Sequence, residues 1–271
     1  MNPVLIQLGN FEIRWYSVLM LVAIFIGLSI VKRETKRLNI KYDFIFNMCF
    51  WTLIFGYISA RLYYVLFNLD YYSANPVEIF QIWKGGLAIH GGLIGGLLTM
   101  LVYTKKYKTR LIRYLDIVCV PLLLAQAIGR WGNFFNSEAH GAATTLENLK
   151  KMHIPEFVIN GMKIDNVYYT PTFYYESLAC LTLFIIFIII RRFKFRKVGQ
   201  MTALYLIGYG IIRFLIEISR TDALMLKGFK IAQIVSITMI IIGILILAKT
   251  KKKGRFEDLY NDPSNIDDIK F

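Results

Sequence analysis

At 271 residues, 56% hydrophobic and 18% charged, the chain is more apolar than a soluble domain, in which about 45–50% of residues are apolar and about 25% charged. Its apolar residues lie in long blocks, the pattern of helices that need roughly 17–25 residues to cross lipid, which argues against a water-soluble fold. The net charge of +14 sits in short basic runs between those blocks. It therefore reads as anchoring beside anionic lipid rather than as a nucleic-acid face.

In chain order, the opening 15 residues carry no positive stretch ahead of the apolar run, so no cleavable signal peptide is expected. Seven spans follow, at 15–31, 44–67, 87–103, 114–131, 173–190, 201–218 and 231–248. The fourth is the most interrupted, by Asp116, Gln126 and Arg130. The linkers after spans one, three and five and the tail each hold five lysines or arginines, 20 of the 32 in the chain. Basic linkers stay cytoplasmic, so the N-terminus is expected outside and the C-terminus inside. Seven spans satisfy that alternation, whereas six or eight do not. The architecture expected is all-α and integral to the membrane. Residues 1–250 form the transmembrane domain, with a small outer cap at 133–170, and 251–271 form a polar cytoplasmic tail.

Soluble-enzyme signatures are sparse. Cys49, Cys119 and Cys180 all fall in apolar segments, and an odd, scattered set describes neither a disulfide framework nor a metal site. His90, His140 and His153 show no metal-ligand spacing, and the glycine run at 91–96 lacks the Lys-Ser/Thr ending of a phosphate loop. No metal or cofactor is expected. Gly91, Gly92, Gly95 and Gly96 instead form two small-xxx-small pairs suited to close helix packing.

A charged side chain at a helix centre costs about 2.5 to 3.5 kcal/mol and usually marks function. Under the predicted orientation such groups cluster. Arg14 and Tyr16 open span one, Arg61 lies in the outer half of span two, and His90 opens span three. Arg130 and Asn133 close span four, Tyr175 and Glu176 open span five, and Arg213, Glu217 and Arg220 end span six. Six helices thus bring polar groups toward the outer leaflet, where a lipid-handling site is expected. Arg213, Glu217 and Arg220 share one helix face, which also suits a purely structural ion-pair ladder. Asp116, near the opposite end, reads as a cap or an ion-pair partner.

The densest signal is the run from Gly129 to Glu138, followed by Gly141, which is expected to form a loop at the membrane edge. Arg130 offers five donors in a planar fork suited to phosphate. Asn133 and Asn136 add neutral donors and acceptors, and Glu138 can fix an arginine or act on a proton. An excess of arginine over carboxylate suits an anionic lipid headgroup.

These residues carry a family resemblance. The run GRWGNFFNSEAHG resembles the signature of the prolipoprotein diacylglyceryl transferase family. Arg14-Trp15-Tyr16, His90-Gly91-Gly92-Leu93, and Tyr209-Gly210 with Arg213, Glu217 and Arg220 extend the likeness over about residues 15–240. The segment at 170–176 is similar to another family block, which usually has His where Thr170 stands and Gln where Phe173 stands. The resemblance implies transfer of the diacylglyceryl group of phosphatidylglycerol to the lipobox cysteine of a prolipoprotein signal peptide, at the outer leaflet of a bacterial cytoplasmic membrane. It implies Arg130 and Arg213 as phosphate ligands, His90 as base for the thiol, and Glu217 as the group that positions an arginine. Tyr16, Asn133, Asn136, Glu138, Gly141, Arg61, Arg220 and Glu176 would bind substrate. A transporter or flippase for an anionic lipid or solute, or another enzyme of phospholipid headgroups, is the alternative that the arginines alone leave open.

Overall fold

The computed structural model describes residues 1–9, 11–38, 40–82, 85–193, 197–221, 225–226 and 228–250. The expected tail at 251–271 and two of the basic residues after the fifth span, Lys194 and Arg196, lie outside the described residues.

Each expected span is a helix. A hairpin of β1 (Val4–Leu8) and β2 (Phe11–Arg14) leads into α1 (Trp15–Arg37) and α2 (Tyr42–Leu66). A short helix, α3 (Leu69–Ala74), and a 3₁₀ turn (Pro76–Phe80) precede α4 (Ile89–Lys106) and α5 (Leu111–Phe135). Then come β3 (Ala143–Thr144), α6 (Leu146–Lys151), α7 (Glu156–Gly161), β4 (Lys163–Ile164) and β5 (Val167–Tyr169). The chain continues through α8 (Thr172–Ile190), α9 (Gln200–Ser219), the hairpin β6 (Met225–Leu226) and β7 (Phe229–Lys230), and α10 (Ile231–Thr250). Six of these helices are long and apolar enough to cross a membrane. The seventh span, α4, has 18 residues whose hydropathy is lowered by four glycines, His90 and two terminal lysines. At about 1.5 Å per residue its 18 residues still reach about 27 Å. The protein is an all-helical, multi-pass integral membrane protein, with its short strands confined to connections. Helices such as α1 run past the apolar block through Lys36 and Arg37, because apolarity marks the lipid-embedded stretch and not the last hydrogen-bonded turn.

Contacts divide the chain into two compact units, residues 35–114 and residues 1–34 with 115 onward. In the first, α2 and α4 lie antiparallel in close contact. A Cβ at Gly91 would overlap Tyr63 and one at Gly95 would overlap Ser59, so the glycines admit the neighbouring backbone as expected for small-xxx-small pairs. Part-buried hydroxyls in these helices satisfy themselves on their own helix, as where Thr52 Oγ1 donates to the Met48 carbonyl (2.7 Å) and Thr99 Oγ1 to that of Gly95 (2.8 Å).

In the second unit the helices alternate in direction, and contacts mark two ends. At one end the buried Asp116 carboxylate, at the start of α5, accepts from the Gly199 amide (2.6 Å), the Thr202 amide (2.8 Å) and Thr202 Oγ1 (2.6 Å). It thereby caps the N-terminus of α9, where orphan amides and the positive end of the macrodipole favour a carboxylate. At the same end Glu34 of α1 pairs with Arg191 at the close of α8 (3.5 Å). The opposite end gathers the start of α1, the end of α5, the start of α8 and the end of α9. There Trp15 stacks on Phe135 with centroids 4.6 Å apart. The segment expected as a cap packs against the flanking helices in a small core of Leu149, Ile154, Val158, Ile159 and Met162 with Phe134 of α5 and Phe173 of α8. Its three strands are ordered β3-β5-β4.

Candidate active site

The second end of this larger unit is where the costly groups meet. The run from Gly129 stays helical past the end expected for the fourth span at 131, and the loop begins later than expected. Residues 129–135 complete the last two turns of α5, and the chain leaves the helix only after Phe135. Glycines on both sides of Arg130 do not break the helix, because neighbours press against it: a Cβ at Gly132 would overlap the Tyr16 ring. Helical geometry then puts Arg130 and Asn133 on one face, and Arg130 Nη1 donates to Asn133 Oδ1 (3.2 Å).

Glu176, in the first turns of α8, is 2% exposed and joins the helices. Its Oε1 lies 3.1 Å from Arg130 Nη2 of α5, and its Oε2 lies 3.2 Å from Arg213 Nη1 of α9. Tyr209, one turn before Arg213, donates its hydroxyl to the same carboxylate (3.4 Å). The other side of Arg213 is held by Glu217 (2.7 Å), which also faces Arg220 Nε (3.9 Å). The ladder read along α9 therefore exists, and Glu176 connects it to α5. Among the described residues, three half-buried guanidiniums, of Arg130, Arg213 and Arg220, face the two buried carboxylates of Glu176 and Glu217.

Beyond the helix end, Ser137 (φ 55°) and Ala139 (φ 58°) adopt left-handed backbone, uncommon for residues other than glycine. This tight path turns Glu138 back, so that its Oε1 accepts from Asn133 Nδ2 (2.9 Å) and Asn136 Nδ2 (3.2 Å). A relay from Arg130 through Asn133 to Glu138 results. Gly141 ties the loop to α8 and α9. Its amide donates to the Thr170 carbonyl (2.8 Å), and it bridges to Arg220. A Cβ there would lie 3.0 Å from the Ser219 carbonyl.

The family model for prolipoprotein diacylglyceryl transferase matches residues 3–249, which takes in every helix that supplies this cluster. The chain belongs to the prolipoprotein diacylglyceryl transferase family. Similar proteins include those named phosphatidylglycerol–prolipoprotein diacylglyceryl transferase from Staphylococcus saprophyticus and Staphylococcus haemolyticus. The first is 43% identical over 93% of this chain and 90% of its own length, the second 45% over 91% and 87%. One of the same name from Listeria welshimeri is 43% identical over 93% of this chain and 91% of its own. The activity of the chain is accordingly prolipoprotein diacylglyceryl transfer, a step of lipoprotein biosynthesis carried out by a membrane enzyme.

Of the residues singled out in the transferase sequence, Tyr16, Arg130, Asn133, Asn136, Glu138, Gly141, Glu176, Arg213, Glu217 and Arg220 lie at this one end. His90 and Arg61 belong to the smaller unit. His90 is half-buried in the first turn of α4, with Tyr63 as a ring neighbour at 6.5 Å. Arg61 donates to the carbonyls of Ile79 (2.9 Å), Gly85 (2.7 Å), Gly86 (2.9 Å) and Glu78 (2.5 Å), so its fork gathers the connection between α3 and α4. The Thr170 and Phe173 departures also find a place. Thr170 Oγ1 donates to the Ala142 carbonyl (3.1 Å), and Phe173 fills the cap core beside Phe134.

Sequence reasoning assigned no role to Tyr209 or Lys230. Tyr209 was detectable as a phenol one turn from Arg213 on the same face. Lys230, one of three cations between the sixth and seventh spans, reads only as one more interfacial anchor.

Proposed function

We propose that the chain takes the diacylglyceryl group from phosphatidylglycerol and places it on the lipobox cysteine of a prolipoprotein signal peptide. The observation that carries this reading is the buried cluster in which Arg130 and Arg213, from two helices, are held by the single Glu176 carboxylate, a paired set of guanidinium donors suited to a phosphodiester. The peptide thiolate attacks the glyceryl carbon bearing the phosphate. A carbon–sulfur bond forms, the carbon–oxygen bond breaks, and the electron pair leaves on glycerol phosphate. The leaving group gains negative charge as the bond breaks, so donors preset by Glu176 and Glu217 stabilise the transition state more than the ground state. Arg130 and Arg213 are the proposed phosphate ligands, Arg220 and the Asn133–Asn136–Glu138 group line the headgroup side, and Tyr16 contacts lipid. The nucleophile belongs to the substrate, so Cys180, fully buried beside the cluster, is not needed as one. The basic ends of α1 and α10 lie away from this cluster along their helices, which supports an outer-leaflet site under the positive-inside rule.

The test uses purified protein, phosphatidylglycerol labelled in an acyl chain, and a lipobox peptide with cysteine or serine. Label should reach only the cysteine peptide, and lipid flux without transfer would overturn the reading. Arg130→Lys should lower transfer about 10- to 100-fold in correctly inserted protein, since a bidentate charged contact is worth roughly 1.5–3 kcal/mol. Near-normal transfer would remove the phosphate assignment. His90 is the proposed base for the thiol. Its alanine variant should lose activity most at neutral pH, where the free thiol is mostly protonated, and recover as pH rises. An unchanged pH profile would exclude that role.

A further inference from the structure

Lys230 closes β7 one residue before α10, and its ammonium reaches back to the end of α9. It donates to the carbonyl oxygens of Glu217 (2.7 Å), Ile218 (3.2 Å) and Arg220 (2.8 Å). The last carbonyls of a helix have no partners within the helix, and a cation there also meets the negative end of the macrodipole. Two of the three residues held in this way carry side chains of the cluster. Arg220 leaves the helix in extended conformation (φ −81°, ψ 137°), and its backbone carbonyl is one of the anchored oxygens.

We infer that Lys230 is a positioning residue for the headgroup of the donor lipid, an inference that rests on the proposed transfer from phosphatidylglycerol. By pinning the last turn of α9, it keeps Arg220 turned toward Glu217, so that the Glu217 carboxylate is shared between two arginines. When that turn frays, Glu217 is left to Arg213 alone and neutralises the guanidinium that faces the phosphate. Lys230 also adds a positive charge near the site through a chain of backbone dipoles, without touching substrate itself.

Full-length protein in lipid nanodiscs, assayed for label transfer across a range of phosphatidylglycerol and peptide concentrations, tests this. Lys230→Met should raise KM for phosphatidylglycerol about fivefold to tenfold, with kcat per folded protein within about twofold and KM for the lipobox peptide unchanged. Lys230→Arg should restore most of the affinity, because it keeps the charge and the donors. Lys230→Gln, which keeps donors without charge, should fall between, and it carries the comparison if the methionine variant does not fold. A merely structural role would lower the amount of active enzyme and leave KM alone. An unchanged KM in the neutral variants, or an arginine variant as impaired as the neutral ones, overturns the inference while wild-type transfer stands. A wild-type protein that transfers no label overturns the function and this inference together.

Discussion

Glu176→Ala is expected to lower kcat for diacylglyceryl transfer on the order of 10³-fold, since removing one partner of a buried ion pair costs roughly 3–5 kcal/mol. The carboxylate is 2% exposed and stands between Arg130 and Arg213 at 3.1 and 3.2 Å. Without it two half-buried guanidiniums face each other across helices α5 and α8–α9, and in a medium of low dielectric they move apart. The incoming phosphate partly takes the place of the missing carboxylate, so KM for phosphatidylglycerol should hold or fall while kcat collapses. That split separates lost alignment from lost binding. Glu176→Gln, which keeps the shape and one acceptor, should lie about tenfold or more above alanine, because a neutral hydrogen bond has about half the strength of a charged one. Labelled-lipid transfer per folded protein is the measurement. An alanine variant retaining a tenth of wild-type kcat would show that Glu176 does not align the arginines.

Asp116→Ala is expected to produce the opposite pattern, a large loss of stability with little change in turnover. Its carboxylate caps α9 through two amides and the Thr202 hydroxyl, all buried. Each donor left without a partner costs about 1–3 kcal/mol, so the total should be at least about 3 kcal/mol. Asp116 and Arg130 stand 14 residues apart on the same helix, about 21 Å at 1.5 Å per residue, so the reacting end should keep its geometry. Thermal unfolding in detergent should show a clearly lower midpoint, while activity normalised to folded protein stays within about twofold. Thr202→Ala should lose less, since both amides keep their acceptor. Turnover falling as far as that of Glu176→Ala would mean that the two ends are coupled and that the cap is not merely structural.

The three polar interruptions that made the fourth span look doubtful show why a membrane sequence reveals placement before it reveals purpose. Asp116 caps α9, Gln126 donates to the Tyr205 hydroxyl (2.9 Å), and Arg130 meets Glu176. Each lowers the hydropathy of α5, and each finds a partner on another helix, α9 for Asp116 and Gln126 and α8 for Arg130. The cost of an unpaired polar group in lipid announces that a partner must exist. The partner is fixed by helix packing, which has no trace in local sequence. The ladder Arg213–Glu217–Arg220 was legible beforehand, since its i, i+4 and i, i+3 spacings follow from one helix.

The stretch just after the expected fourth span, which local sequence reads as the start of a membrane-edge loop, is the clearest departure. Glycine and asparagine at 129–136 favour a turn by local propensity, yet residues through Phe135 stay helical. Tyr16 against Gly132 and Trp15 against Phe135 supply the tertiary contacts that outweigh that preference. Glycine here serves close approach rather than chain reversal, and the reversal itself falls to Ser137 and Ala139.

What the sequence by itself determined is the membrane architecture and the end at which the costly side chains lie, because the length and polarity of each span depend only on the solvent that surrounds it. The signature around Arg130 also carried the family, over nearly the whole chain. What only the tertiary structure decided is how the charges are shared. Glu176 bridges two helices, Asn133 relays Arg130 to Glu138, and Lys230 holds the end of α9. Apart from the i, i+3 contact of Arg130 with Asn133, these join residues 10 to 46 positions apart in the chain or, for Glu138, depend on left-handed backbone. Such contacts exist only once the helices have packed, since the chain between them contributes nothing to their energy.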